Sequence, residues 1–155
     1  MKRFMKDMQG STIIWVAFAI LILFTLSFVI YTGLMVYTKY MACEAKLERA
    51  AVIAVDLNME NSNVRDAYIN IPMHPTLTDL ETNLVSAGFV QSSDQVWKKF
   101  EDNKLLYEIR EMDVAVDDQW LELSGLYVMP LPWTIGKQTE VMIPIAIRSR
   151  VIFLD

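Results

Sequence analysis

The sequence predicts an α+β protein in which one long N-terminal helix packs on a small antiparallel sheet. Three observations predict this class. An apolar run without charges lies near the N-terminus, and a stripe of apolar residues with helical spacing continues beyond it. In the C-terminal third, apolar and polar residues alternate with a period of two. Hydrophobic residues make up 54% of the 155 residues. A soluble domain usually has about 45–50%, and the excess here lies in the apolar run.

The apolar run is long enough to cross a membrane. No charged residue occurs between Asp7 and Lys39, and 15 of the 24 residues from Ile13 to Val36 are Ile, Leu, Val or Phe. As a helix this run measures roughly 36 Å, against a hydrocarbon core of about 30 Å. We therefore predict a transmembrane segment at about residues 13–36, with membrane lipid as its first partner.

The charges on the two sides of this segment predict its orientation. The leader carries Lys2, Arg3 and Lys6 against one acidic residue, whereas the chain from Lys39 onward holds 11 basic and 18 acidic residues. The positive-inside rule places the short N-terminus in the cytoplasm and the C-terminal domain outside it. The expected location is the cell membrane, crossed once. A cleaved secretory signal is the alternative, although the apolar run is much longer than the typical 7–15 residues.

The helical pattern continues past the apolar run. Ser11 is a predicted N-cap, and neither Gly nor Pro occurs between Gly33 and Pro72. We predict a cytoplasmic leader over residues 1–10, one helix over 11–57 and an extracytoplasmic α+β domain over 58–155. The apolar stripe of the outer half contains Tyr40, Cys43, Leu47, Ala50, Ala54 and Leu57.

The C-terminal domain contains signals for a second helix and for strands. A capping box begins at Thr78 and predicts a short helix over Thr78–Ala87, with Gly88 as its C′ residue. Alternating residues then predict three to five antiparallel strands, with a bulge or break at Arg110 and Glu111. Pro144 lacks an N–H group, which predicts an edge strand at that position. The strands are centred on Leu105–Ile109, Met112–Val116, Leu121–Tyr127 and Val141–Ile147.

The N-terminal third resembles a known family. A short basic leader ends in Gly10, Ser11 and Thr12 open a long apolar helix, and an alanine-rich extension follows. This pattern resembles type IV pilin-like proteins, most closely the TadE-like minor pseudopilins of tight-adherence pilus systems. The resemblance covers about residues 1–57. It implies a structural subunit that takes part in assembly of an adhesive pilus or a secretion filament.

The resemblance also implies processing and partners. A prepilin peptidase would cut after Gly10, which would make Ser11 the mature N-terminus, and a pilus assembly platform and other pilin-like subunits would be the partners. Family members usually carry glutamate at the fifth mature position, which is Trp15 here. Trp15 suits a minor subunit at a filament tip. It is equally compatible with an uncleaved bitopic membrane protein whose ectodomain binds a ligand or partner.

Two groups of residues are candidates for contacts with other subunits. The segment Met129–Trp133 contains two prolines, and we predict a loop that either covers the sheet or presents Leu131 and Trp133 to a partner. Cys43 is expected to be a buried small hydrophobe, with an intermolecular disulfide as the alternative. The residues expected to pack in a filament or helix bundle are Trp15, Cys43, Leu47, Ala50 and Ala54.

The sequence predicts no enzyme, no cofactor and no metal site. The single histidine, His74, is expected in a loop without accompanying ligands. Asp113, Asp117 and Asp118 are expected at a solvated turn, since the glycine and the closing glutamate of a calcium loop are missing. The chain is acidic overall and has no basic stripe, so nucleic acid is not an expected partner.

Overall fold

The computed structural model describes residues 2–59, 71, 73–117, 120–135 and 138–150. The described part of the chain is an α+β fold, as predicted. It divides into two compact units, Met1–Lys39 and Tyr40–Asp155. The elements are α1 (Lys2–Met59), α2 (Met73–Ser86), β1 (Phe89–Ser93), β2 (Val96–Glu101), β3 (Lys104–Asp117), β4 (Trp120–Ile135) and β5 (Gln138–Arg150).

Helix α1 is longer than the sequence predicts. It contains 58 residues and begins at Lys2, so Ser11 lies inside the helix and the N-cap prediction is wrong. The physical reason is that the preceding residues Met8 to Gly10 are themselves helical and supply carbonyl groups to the following turn. The helix ends at Met59, close to the predicted residue 57.

Helix α2 begins five residues before the predicted start, at Met73. Pro75 falls in its first turn, where the missing N–H group has no intrahelical acceptor and is tolerated. The Thr78 hydroxyl donates to the carbonyl of His74 at 3.1 Å, so Thr78 is not the N-cap and His74 is helical rather than in a loop. Gly88 has a φ of +81° just after the helix, as the predicted C′ position requires.

The five strands form one antiparallel sheet in sequential order. The bulge in β3 is confirmed: its register with β4 shifts between Arg110 and Asp113, and Glu111 has a φ of +54°. Gly125 of β4 lies opposite the bulge, where an added Cβ would be 3.1 Å from the Ile109 Cγ2 atom. The predicted edge strand is also confirmed, because β5 is the last strand and Pro144 lies opposite Leu126.

Two predicted turns or loops are strands in the structure. Asp113 and Asp117 belong to β3, while Asp118 lies outside the described residues. Leu131 and Trp133 belong to β4, so the loop prediction is wrong for this segment. The pairing of β4 with β5 is interrupted between Pro130 and Ile135. Proline favours extended backbone, so the strand continues through this segment. Because proline has no N–H group to donate, the regular hydrogen bonds to β5 are interrupted there.

The core lies on one face of the sheet. Alternate residues of the strands point to this face, and the outer half of α1 and part of α2 contribute the opposing side chains. The fully buried residues of the two helices include Leu47, Ala51 and Leu84. Those of the sheet include Phe89, Trp97, Tyr107, Ile109, Leu121, Leu123, Tyr127 and Ile145.

Candidate functional site

The apolar half of α1 buries almost none of its surface in the protein. Residues 12–31 are all exposed, and the exposed fraction of the Trp15 side chain is 69%. In the described chain, α1 is the one helix long and apolar enough to cross a membrane, with a mean hydropathy of 2.9 over its most apolar window. An apolar surface of this extent is unstable in water unless lipid or another protein covers it.

Hydroxyl groups along this helix are satisfied within the helix. The Thr25 hydroxyl donates to the Leu21 carbonyl at 2.8 Å, and the Thr32 hydroxyl donates to the Phe28 carbonyl at 2.9 Å. Such back-bonding removes free polar hydrogens from the helix surface. These two threonines are therefore compatible with an apolar surrounding.

The predicted cleavage position lies inside α1, since Gly10 and Ser11 are both helical. Exposed apolar side chains begin shortly after it, at Ile13. The Trp15 ring packs edge-on against Phe18, with 6.4 Å between the ring centroids. Trp15 is thus accessible to lipid or to a neighbouring helix.

The outer stripe of α1 packs on the chain's own sheet. Cys43, Leu47 and Ala54 are 0% exposed and Ala50 is 3% exposed. The stripe was expected to serve helix packing in a filament or bundle, and that expectation stays a prediction. Within the chain, these four side chains are already covered by the domain's own core. Of the five predicted packing residues, Trp15 is the one whose surface is free in the chain.

A row of aromatic rings joins the outer half of α1 to the sheet. The Tyr40 ring meets the Tyr127 ring edge-on at 5.5 Å between centroids, and Tyr127 lies 5.2 Å from Tyr107. Phe89 extends the row at 6.1 Å from Tyr107. These separations lie in the favourable range for aromatic pairs, so the row fixes the helix on strands β1, β3 and β4.

Cys43 lies in the middle of this apolar surrounding. Burial raises the pKa of its thiol to about 12, although the neighbouring Tyr107 hydroxyl opposes the shift. Burial also raises the pKa values of Tyr107 and Tyr127. Because the thiolate is the reactive form, Cys43 is an inert core residue rather than a nucleophile. The expectation of a buried small hydrophobe is confirmed.

Asn58 links the end of α1 to α2. Its side-chain amide donates to the Asp79 carboxylate at 2.8 Å and to the Ala54 carbonyl at 2.8 Å. Asn58 is 3% exposed, so these bonds satisfy a buried polar group. The contact holds the two helices together across a stretch of 20 intervening residues.

The opposite face of the sheet carries an ionic cluster. Arg110 donates to the Glu108 carboxylate, and its guanidinium also contacts Glu140 at 2.9 Å. The Lys98 ammonium lies 3.8 Å from Glu108. The hydrogen bond to Glu108, followed in size by the one to Glu140, raises the pKa of Arg110. The charges in this cluster compensate one another, which leaves no free charge to attract a ligand there.

A groove lies between the outer half of α1 and α2. Its volume is about 380 Å³, and Lys46, Arg49, Asn83 and Ser86 supply its polar lining. Sequence reasoning missed this groove. The available signal was the spacing of Lys46 and Arg49, which places both cations on one helical face, but the approach of Asn83 depends on the packing of α2.

In the described part of the chain, no group of three or more His, Cys, Asp or Glu side chains could hold a metal ion. His74 is exposed in the first turn of α2. Leu131 is half-buried in β4, and the side chain of Trp133 lies outside the described residues. These residues are not brought together into one site.

Comparison of the chain with protein-family models, curated proteins and solved structures finds no match.

Proposed function

We propose that this chain is a minor pilin-like subunit, similar to the TadE-like pseudopilins, which acts structurally in assembly of a tight-adherence pilus or a secretion filament. One observation carries the proposal. A single helix, α1, has an exposed apolar half and a second half that contributes to the core of an antiparallel sheet domain. Membrane anchor and folded domain therefore share one element.

The chemistry of α1 supports a subunit that moves from lipid into an assembly. An apolar helix without ionisable groups is stable in a bilayer and can also pack against helices of the same kind. Residues 12–31 provide this surface, and Trp15 lies near its N-terminal end. The partners in this proposal are membrane lipid, other pilin-like subunits, a prepilin peptidase and an assembly platform. The leader faces the cytoplasm and the sheet domain lies outside it.

The decisive experiment measures the N-terminal residue of the protein recovered from native membranes, by intact mass and peptide mapping. A chain that begins at Ser11 supports prepilin-type processing. A chain that retains Met1 contradicts it and favours an uncleaved bitopic protein with a binding ectodomain. A matched pair of variants sharpens the result: Gly10→Leu should block cleavage, whereas Gln9→Leu should leave it intact.

A second measurement separates assembly from anchoring. Filaments sheared from the cell surface should contain the mature chain in small amounts relative to a major subunit, and the Gly10→Leu variant should be absent from them. Equal recovery of the uncleaved variant in the sheared fraction would contradict a processed filament subunit.

A further inference from the structure

The groove between α1 and α2 has two chemically different parts. Lys46 and Arg49 of α1, and Asn83 and Ser86 of α2, form a polar part. Ala50, Ile53 and Ala87 line the rest with methyl groups. The volume of about 380 Å³ is at the lower end of the range for small-molecule sites.

The cations of this groove lack carboxylate partners. Neither Lys46 nor Arg49 forms an ion pair with another residue in the described part of the chain. Lys99 of β2 is a third cation beside Lys46, and its ammonium donates to the Ala87 carbonyl at 2.7 Å. Burial and then the charge of Lys46 lower the pKa of Lys99. The groove thus has an excess of positive charge in a domain that is acidic overall.

The negative groups nearby do not balance these cations. Glu101 interacts with Lys99, and the C-terminal end of α2 contributes about half a negative charge. The Ala87 carbonyl at this helix end is already occupied by Lys99. Lys46 and Arg49 therefore remain for an external anion.

Asn83 is a further unsatisfied donor. Its amide nitrogen is buried and has no hydrogen-bond partner among the described residues. A buried donor without an acceptor destabilises a protein. An anion in the groove would supply the acceptor.

We propose that this groove binds a small organic acid, with Lys46, Arg49 and the Asn83 amide around its carboxylate and with Ala50, Ile53 and Ala87 around a short apolar stem. Charged hydrogen bonds hold the carboxylate, and burial of the stem's methylene groups adds affinity. The proposal is independent of leader cleavage and of filament assembly.

The test is a titration of the full-length ¹⁵N-labelled protein in non-ionic detergent with butyrate, followed by NMR. Butyrate should bind saturably with a Kd of about 1 mM or below, and the side-chain amide resonance of Asn83 should shift. Lys46→Gln and Arg49→Gln should each weaken binding at least ten-fold. Lys104→Gln, at an exposed position at the start of β3, should leave binding unchanged.

A neutral probe and an inorganic probe separate the contribution of the carboxylate charge from that of the apolar stem. Butyramide, which has the same shape without the charge, should not bind, and inorganic phosphate should bind more weakly than butyrate. Equal binding of butyramide, or unchanged binding in both cation variants, would overturn the site. Equal affinity for phosphate and butyrate would overturn the role of the apolar stem. Circular dichroism checks that each variant is folded. If Lys46→Gln does not fold, the Arg49→Gln variant decides the result, because Arg49 is exposed.

Discussion

Cys43 shows how a single residue couples the helix to the sheet. Its side chain is 0% exposed and its thiol pKa is raised to about 12 by burial. We predict that a maleimide reagent at pH 7 labels the native protein in detergent at least 100-fold more slowly than the unfolded protein. Intact mass spectrometry measures both rates. Rapid labelling of the native protein would show that Cys43 is accessible and could serve an intermolecular disulfide.

The same residue predicts a pH dependence of stability. Because the pKa of Cys43 is raised from 9.0 to about 12 in the folded state, the unfolded chain releases its proton first as the pH rises. The contribution of Cys43 to the free energy of unfolding should therefore be constant below about pH 8 and fall between pH 9 and 12, by up to about 1.4 kcal/mol per pH unit. Denaturant unfolding measures this slope. In Cys43→Ala the slope should be smaller, and an equal slope would assign the effect to Tyr107 and Tyr127 alone.

Leu47 occupies the core beside Cys43. Leu47→Ala should lower the free energy of unfolding by about 2–5 kcal/mol, since it removes a fully buried side chain and leaves a cavity. Leu57 is the matched control in the same helix, with 47% of its side chain exposed. Leu57→Ala should cause less than half of this loss in denaturant unfolding. Equal losses would place Leu47 outside the core.

At the scale of elements, the strongest periodic segments were predictable from the sequence. Alternation identified β3 with its bulge, and Pro144 identified the edge strand. Strands β1 and β2 were not predicted, because Phe89 and Trp97 are their only buried residues and one residue per strand gives no alternation. The extension of β4 past Pro130 was missed because prolines usually mark loops.

The end of α2 depends on Gly88. A residue with a Cβ atom is strained at a φ of +81°, and an added Cβ would overlap the Lys99 Nζ atom. The lysine side chain is flexible and can move, so the main loss comes from the backbone. Gly88→Ala should lower the free energy of unfolding by about 1 kcal/mol, while Ser86→Ala, at the exposed end of the helix, should change it by less than 0.5 kcal/mol. Thermal unfolding measures the stability of both variants, and denaturant unfolding provides an independent check.

The candidate site was predictable only in part, because some of its contacts join residues from different elements. The exposed apolar surface of α1 follows from local composition, and the sequence indicates it directly. The groove requires Lys46 and Asn83 to approach across a sequence separation that no local pattern reports. The same holds for Cys43 and Tyr107, which come from α1 and β3. Local periodicity reports which side chains are buried, whereas the identity of their neighbours is a property of the tertiary structure.

At the scale of the whole molecule, the proposed orientation depends on a small charge difference. Only basic residues close to the membrane segment count strongly in the positive-inside rule. The leader contributes Lys2, Arg3 and Lys6 with the terminal amine, and the other flank contributes Lys39, Lys46 and Arg49 within 14 residues of Val36. The acidic residues that dominate the C-terminal domain have little influence on insertion. The leader charges are therefore expected to decide the topology.

This dependence can be tested with a C-terminal reporter enzyme that is active only outside the cytoplasm. The wild-type fusion should be active, and replacement of all three leader cations by Gln should lower the activity per molecule at least three-fold, because the other flank is then the more positive. Lys39→Gln changes the balance in the opposite direction, so its activity should equal or exceed that of the wild type. An inactive wild-type fusion would reverse the orientation, and it would exclude prepilin processing because Gly10 would then lie on the outer side. An unchanged triple variant would instead show that the domain over 58–155 is exported independently of the leader.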